Sequence, residues 1–224
     1  MAQGILNLDK PAGITSARAV DRIKRLLPRG TKVGHAGTLD PFATGVLLVL
    51  VGSATKKCES LMNDPKQYEA VIKFGSTTAT DDLESEEIPF AGAGELYRAA
   101  IEGVLPRFVG LIQQRPSAFS AMKVAGRRAY ALARSGLAVE LQARPVNVYG
   151  IDLIDFAWPL LRLRIDCGRG TYIRALARDI GEALQVGGHL RELRRTRVGA
   201  FWARDAVTLE QVDASNIDQK LQNV

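Results

Sequence analysis

The sequence predicts an α+β fold in a single domain, because strand and helix patterns follow each other in mixed order. Residues 67–74 alternate strictly between apolar and polar side chains, which is typical of a strand with one buried face. Residues 146–156 and 160–167 read as two successive strands that form a hairpin around Trp158 and Pro159. Strands that follow one another directly, without regular βαβ alternation, favour this class over a doubly wound α/β fold.

The first elements alternate between strand and helix. Residues 4–8 have a short strand pattern, and a turn at residues 10–13 follows. Thr15 and Ser16 offer an N-cap for a helix that ends before Pro28. Its apolar positions share one face: Val20, Ile23, Leu26 and Leu27.

The next segment contains the most apolar strand of the chain. We expect a loop over residues 32–44 and then a fully buried strand over residues 46–51, whose side chains are all aliphatic. A short helix is expected over residues 54–62. In the alternating strand 67–74, Tyr68 lies on the face opposite Glu69 and Lys73.

Three further helical patterns follow, at residues 95–105, 127–135 and 172–184. Residues 112–126 are irregular and basic. A final basic segment, residues 189–204, holds another short strand.

Composition excludes several classes of protein. With 46% apolar and 24% charged residues in 224, the chain is neither disordered nor collagen-like. Its longest aliphatic run has six residues, against about 18 for a membrane span, and no signal-peptide pattern begins the chain, so we expect a cytoplasmic protein. Cys58 and Cys167 lack metal-ligand spacing, which argues against a disulfide framework or a zinc site.

The net charge of +6 is concentrated in three segments. Residues 1–35 carry seven basic and two acidic side chains, residues 113–145 six and one, and residues 161–204 ten and four. Residues 59–104 carry three basic and ten acidic side chains. The basic segments either form one face for a polyanion or are generally solvated surface.

The segment 34–45, GHAGTLDPFATG, concentrates unusual residues before the buried strand. Its glycines allow backbone conformations closed to other residues and let a ligand approach closely. Asp40 is therefore a candidate catalytic carboxylate, and the alternative is that it caps a turn before Pro41. His35 is one of only two histidines in the chain.

A second cluster lies at residues 168–174, GRGTYIR, where a glycine turn enters a helix. Such a turn suits an anion, and Arg174 could instead pair with a carboxylate or lie on the helix surface. Tyr172 could equally be a core residue. The chain has no P-loop, no dinucleotide fingerprint, no His-x-x-x-His and no Gly-x-Ser-x-Gly, so nucleotide, metal and serine-hydrolase schemes are unsupported.

Several motifs resemble those of the TruB family of tRNA pseudouridine synthases. GHAGTLDPFATGVL resembles the family's catalytic motif, and LNLDKPAGITS its N-terminal motif. KQYEAVIKFG resembles its tyrosine-bearing strand, and FSAMKVAGRRAYALARSG its RNA-gripping insertion. CGRGTYIRALARDIGEAL and LRRTRVGAF are similar to its last two motifs, so the resemblance extends over residues 4–201.

This resemblance implies a role for each matching residue. Asp40 corresponds to the catalytic aspartate, which attacks the target uridine at the base or at the ribose. Tyr68 corresponds to the tyrosine that stacks on the flipped base and takes part in proton removal, and Arg174 to the arginine paired with the catalytic carboxylate. Four residues are implied in substrate binding or support of the site, beside Tyr172 in the pocket: His35, Leu193, Lys10 and Pro11.

The resemblance also implies a fold and a partner. The expected fold is that of pseudouridine synthases, a mixed, largely antiparallel central sheet flanked by helices and loops, with an RNA-gripping insertion at about residues 110–145. The expected substrate is the T-arm of tRNA, with uridine 55 as the target, and we expect a monomer that needs no cofactor, metal, membrane or protein partner. We expect a catalytic domain over residues 1–204 and a short tail over 205–224, whose net charge is −3, in place of the usual C-terminal RNA-binding domain.

Three functions remain open on the sequence alone. The first is an active tRNA uridine-55 pseudouridine synthase. The second is a tRNA-binding folding chaperone with little catalysis. The third is a dyskerin-type enzyme that acts on guide-RNA complexes, for which the segment 119–136 looks too bacterial.

Overall fold

The computed structural model describes residues 3–117, 119, 123–124, 127–128 and 141–222. Within these residues the strands are, in chain order, β1 (Gly4–Lys10), β2 (Val33–Ala36), β3 (Thr44–Val51), β4 (Lys66–Phe74), β5 (Ser76–Thr78), β6 (Glu87–Pro89), β7 (Gly110–Gln114), β8 (Lys123–Val124), β9 (Arg127–Arg128), β10 (Arg144–Ala157), β11 (Leu160–Cys167), β12 (Gly188–Val198) and β13 (Phe201–Trp202). The α-helices are α1 (Ser16–Lys24), α2 (Cys58–Asn63), α3 (Arg98–Val104), α4 (Ile173–Ala183) and α5 (Ile217–Lys220). Short 3-10 helices lie at Gly52–Lys57, Leu105–Phe108 and Ala203–Asp205.

The chain divides into two compact units. The first unit consists of Met1–Glu69 and Glu192–Val224, and the second of Ala70–Arg191. The division falls inside β4 and β12, so each of these strands contributes to both units.

The first unit is built on a mixed sheet in which β3 is central. β1 pairs with β3 antiparallel from Gly4 opposite Val51 to Lys10 opposite Gly45. β2 also pairs with β3 antiparallel, whereas β12 runs parallel to it. β13 folds back on β12 through an antiparallel pair.

Hydrophobic clusters cover both faces of this sheet, which explains why β3 is aliphatic throughout. Alternate β3 side chains enter different clusters: Leu47, Val49 and Val51 pack with α1, whereas Val46, Leu48 and Leu50 pack near α2. α1 begins at the N-cap Thr15, whose side chain accepts a hydrogen bond from the Arg18 backbone N–H.

The second unit is built on antiparallel strands. β10 and β11 form a long hairpin, and β7 pairs with the other edge of β10 from Gln114 opposite Arg144 onward. The Phe74 backbone N–H donates to the Pro159 carbonyl at 2.9 Å, which places the end of β4 beside the hairpin. β5 and β6 form a separate two-stranded sheet.

The predicted elements are confirmed for most of the described chain. The aliphatic strand, the alternating strand, the hairpin and the helix at 172–184 all occur, the last as α4. Among the described residues no helix is both long and apolar enough to cross a membrane. The mixed, mostly antiparallel sheet agrees with the predicted fold class.

Three local predictions differ from the structure. The expected loop 32–44 contains β2, which the sequence hides because its first three residues are only partly buried and do not alternate. The last strand is longer than expected, since β12 has 11 residues. The helix predicted at 127–135 is wrong at its start, where Arg127 and Arg128 form β9, and its remainder lies outside the described residues, as does most of the predicted RNA-gripping insertion.

Candidate active site

Asp40 lies in the loop between β2 and β3, and this loop is held by buried hydrogen bonds. The Ser16 hydroxyl, at the start of α1, accepts from the Leu39 backbone N–H at 2.9 Å and donates to the Leu39 carbonyl at 3.1 Å. The Pro41 carbonyl accepts from the Gly13 backbone N–H at 2.8 Å. Contacts on both sides of Asp40 therefore fix the backbone that carries the carboxylate.

Lys10, at the end of β1, is wholly buried and supports the same loop. Its ammonium donates to the carbonyls of Pro11, Ile14 and Pro41 at 2.8, 2.9 and 3.2 Å. Burial lowers the pKa of Lys10 from 10.5 to about 8, and the Asp40 carboxylate opposes this shift. The Lys10 ammonium and the Asp40 carboxylate are therefore electrostatically coupled. Pro11 itself is exposed and contributes its carbonyl.

Arg195 on β12 is a second buried cation at this loop, and sequence reasoning did not single it out. Its side chain is 1% exposed. The guanidinium donates to the Val46 carbonyl at 2.7 Å, to the Gly37 carbonyl at 3.0 Å and to the Thr38 carbonyl at 3.4 Å. Arg195 therefore holds both ends of the loop that carries Asp40.

Gly45 makes room for this arrangement. Its φ is +101°, and a Cβ atom there would lie 2.1 Å from the Arg195 carbonyl oxygen. Only glycine permits such a close approach of β3 and β12 with this backbone conformation.

Three further predicted residues belong to the first unit. Tyr68 on β4 and Leu193 on β12 are each 8% exposed. The Thr196 hydroxyl donates to the Gln67 carbonyl at 3.3 Å, so β12 runs beside the start of β4. Tyr68 and Leu193 thus lie on adjacent strands.

His35 on β2 is half-buried, and burial lowers the pKa of its imidazole below 6.5, with Arg195 adding to the shift. This shift favours the neutral form of the ring. Its Nδ1 is buried and makes no hydrogen bond within the described part of the chain.

Arg174 and Tyr172 belong to the second unit, at the start of α4. Tyr172 is the N-cap residue, and its backbone N–H and carbonyl are both bound by the Gln114 side chain, at 2.8 and 3.1 Å. The Gln114 side chain therefore holds the backbone of the N-cap residue and fixes where the helix begins.

The Arg174 side chain is 6% exposed and forms an ion pair with Asp82 at 3.1 Å. It also donates to the carbonyls of Thr80 and Phe119, each at 3.1 Å. Asp82 accepts from the Thr80 hydroxyl at 2.6 Å, so both partners of the pair are oriented. Sequence reasoning did not assign Asp82, because it is one of several acids in residues 81–87. The pairing of Arg174 with Asp40 stays a prediction.

Family models match nearly the whole chain. One for the N-terminal domain of TruB family pseudouridylate synthases matches residues 24–173, and one for the C-terminal domain of tRNA pseudouridylate synthase B matches residues 174–224. A tRNA pseudouridine synthase B from Mycobacteroides abscessus is 49% identical over 219 residues, which cover 93% of this chain and 72% of the relative. A tRNA pseudouridine synthase B from Thermobifida fusca is 47% identical, and the match covers 96% of this chain and 75% of the relative.

Solved structures agree with these matches. A Cbf5–Nop10–Gar1 complex contains a chain with a TM-score of 0.74 and 30% identity, covering 99% of this chain and 60% of that one. A chain of an H/ACA ribonucleoprotein bound to a substrate RNA has a TM-score of 0.68 and 32% identity. The match covers 92% of this chain and 51% of that one. The chain thus spans about half to three fifths of the length of these solved chains, and the pseudouridine synthase fold is confirmed. This chain belongs to the TruB family of pseudouridine synthases.

Proposed function

We propose that this chain isomerises uridine 55 in the T-arm of tRNA to pseudouridine, with Asp40 as the nucleophile. The observation that carries the proposal is the fixed loop around Asp40, whose carboxylate is electrostatically coupled to the buried Lys10 ammonium. A carboxylate on a backbone held by hydrogen bonds on both sides loses little freedom when it meets its substrate.

The target base must first leave the folded RNA arm. Extruding a nucleotide costs a few kcal/mol, and stacking on an aromatic side chain returns about 1–3 kcal/mol per base. Tyr68 supplies that aromatic face, and Leu193 on the adjacent strand supplies apolar contact. The neutral His35 ring offers a hydrogen-bonding group to hold the displaced nucleotide.

The isomerisation is balanced without oxidation or reduction. The bond from the ribose C1′ to the uracil N1 breaks, the base rotates, and a bond from C1′ to C5 forms. C5 loses its proton and N1 gains one. Asp40 attacks either the base or, after the glycosidic bond breaks, the ribose; the bond that it forms breaks again before pseudouridine leaves, so the carboxylate is regenerated. Tyr68 takes part in removing the C5 proton.

The family resemblance assigns Arg174 to pairing with the catalytic carboxylate, and this role is part of the proposal. Within its own unit the Arg174 guanidinium is oriented by Asp82 and by two carbonyls.

Tritium release tests this function. Transcribed tRNA that carries 5-tritiated uridine loses tritium to water when C5 becomes bonded to C1′, so the wild type should release it catalytically. Asp40→Asn should reduce the rate by about a thousandfold or more, because an amide is a very poor nucleophile. Asp21→Asn, an exposed carboxylate on α1, is the matched control and should behave as wild type.

The outcomes separate the alternatives. Binding of tRNA without release by the wild type would contradict an enzyme and favour a folding chaperone. Release that survives Asp40→Asn would keep the activity and remove the proposed nucleophile. Release from free tRNA, with no guide RNA or second protein present, separates this proposal from the guided reaction.

A further inference from the structure

Three alternate side chains of β12 lie on the face from which Arg195 contacts the start of the Asp40 loop. Successive strand residues point to opposite faces, so Leu193, Arg195 and Arg197 share one side. Arg195 reaches the carbonyls of Gly37 and Thr38 from this side. Arg197 lies two residues further along, about 7 Å from Arg195.

β13 adds an aromatic ring beside Arg197. Trp202 is the cross-strand partner of Arg197, and the Arg197 guanidinium lies 5.0 Å from the centroid of the indole ring. The Arg204 guanidinium lies 4.6 Å from the same ring. We call these three side chains the Arg–Trp–Arg stack.

The stack restrains two guanidinium groups, of which Arg204 lies at the protein surface and Arg197 is partly buried. Cation–π contact restrains long side chains that would otherwise be mobile. The Arg204 side chain is 73% exposed, and its carboxylate neighbour Asp205, at 3.7 Å, is 61% exposed, so water and salt screen this ion pair. Arg204 therefore remains able to bind another anion.

The surroundings are basic. Residues 188–204 contain five arginines and one acid, Glu192. Of these arginines, Arg194 is bound by the Asp9 carboxylate at 2.7 Å, and Arg195 donates hydrogen bonds to three backbone carbonyls. Arg197 and Arg204 are the two held against an aromatic face.

We propose that the Arg–Trp–Arg stack binds the phosphodiester backbone of the substrate RNA next to the target nucleotide. This inference rests on the proposed function, because the Asp40 loop defines where the target lies. Planar guanidinium groups match phosphate oxygens in a bidentate manner, and a restrained pair suits a chain of regularly spaced phosphates better than a single small anion.

Binding of a fluorescent T-arm RNA, measured by anisotropy at several KCl concentrations, tests the stack. Arg204→Gln should weaken binding about five- to tenfold at low salt. It should also lower the slope of log affinity against log salt by about 0.7 to 0.9, the value for one lost phosphate contact. In tritium release it should raise KM and leave kcat unchanged, since the stack touches no reacting atom.

Two further variants control the experiment. Arg98→Gln removes an exposed arginine on α3 that pairs with Glu102, and it should bind RNA as the wild type does. Trp202→Leu removes the aromatic face but keeps both charges. It should weaken binding by itself, and its effect should be smaller when Arg204 is already replaced, because only Arg197 then loses its restraint. Thermal unfolding of each variant verifies that it is folded.

The results distinguish this inference from the proposed function. If Arg204→Gln and Trp202→Leu both keep the wild-type affinity and salt slope while tritium is released, the stack is not an RNA site and the function stands. If the salt slope falls as expected but the wild type releases no tritium, the stack stands and the function fails. A wild type that does not bind RNA overturns both.

Discussion

At the residue scale, the Asp40 loop depends on two buried cations. Lys10 and Arg195 are both 0–1% exposed, which is costly for a charged side chain unless hydrogen bonds compensate. Each donates to three backbone carbonyls. Five of these carbonyls lie between regular elements and the sixth, that of Val46, lies in β3, so the two cations supply donors where the strands meet the loops.

The lowered pKa of Lys10 makes the stability of the protein depend on pH. Lys10 has a pKa of about 8 in the folded chain and 10.5 when unperturbed, so between these values the unfolded chain binds more protons. The free energy of unfolding therefore gains a contribution as the pH rises from about 8 to 10.5, at most about 3 kcal/mol. Urea unfolding of wild type and Lys10→Met at several pH values measures it, because all other titrating groups are common to both.

The contribution should be present in the wild type only. Parallel stability curves for the two proteins would show that Lys10 titrates normally. An NMR titration of the Lys10 Cε resonance in the wild type gives the same pKa directly and does not depend on how well the variant folds.

At the element scale, the sequence predicts the elements whose patterns are local. The aliphatic run of β3 and the strict alternation of β4 each reflect burial that repeats along the strand. β2 escaped prediction because its pairing with β3 is made by the backbone, while its side chains are partly exposed.

The candidate residues Asp40, Tyr68 and Arg174 come from motifs and stay predictions as site residues, whereas the partners that the structure gives to the Asp40 loop and to Arg174 follow from no motif. Arg195 acts on carbonyls about 150 positions earlier in the chain, and no local pattern separates it from its neighbour Arg194. The same holds for Asp82, whose partner is 92 positions away.

The pairing of β3 with β12 predicts a strong effect of one methyl group. In Gly45→Ala the new Cβ would lie 2.1 Å from a backbone oxygen, which cannot move without opening the two strands. We expect loss of more than about 4 kcal/mol of stability or loss of the folded protein. Gly30→Ala, measured beside it by urea unfolding, should cost only about 1 kcal/mol: its φ is +86° and nothing lies within 4 Å of the added Cβ.

A Gly45→Ala protein as stable as Gly30→Ala would show that the strands separate more easily than this geometry implies. In that case Arg195 could not hold the Asp40 loop in the way its hydrogen bonds indicate.

At the scale of the whole molecule, the net charge of +6 is distributed unevenly, and residues 205–224 are acidic. This acidic segment forms backbone hydrogen bonds with β1. Val207 exchanges hydrogen bonds with β1, donating to the Asn7 carbonyl at 3.0 Å and accepting from the Asp9 backbone N–H at 2.8 Å. Gln222 exchanges a second pair with Ile5. The segment therefore covers the free edge of the strand that ends in Lys10.

This arrangement leads to a prediction about the sequence boundary at residue 204. Ile217 on α5 is 3% exposed and packs in the hydrophobic cluster that contains Leu6, Leu8 and Val20. Ile217→Ala should cost about 2–4 kcal/mol in urea unfolding, whereas Ile88→Ala, at a position 61% exposed, should stay within about 1 kcal/mol of wild type. Equal, small effects would mean that residues 205–224 contribute little to the core and form only the short tail that the sequence predicts. A large effect at Ile217 alone would make them part of the core that packs on β1 and β3, so that loss of this packing should lower tritium release at temperatures where the wild type is still folded.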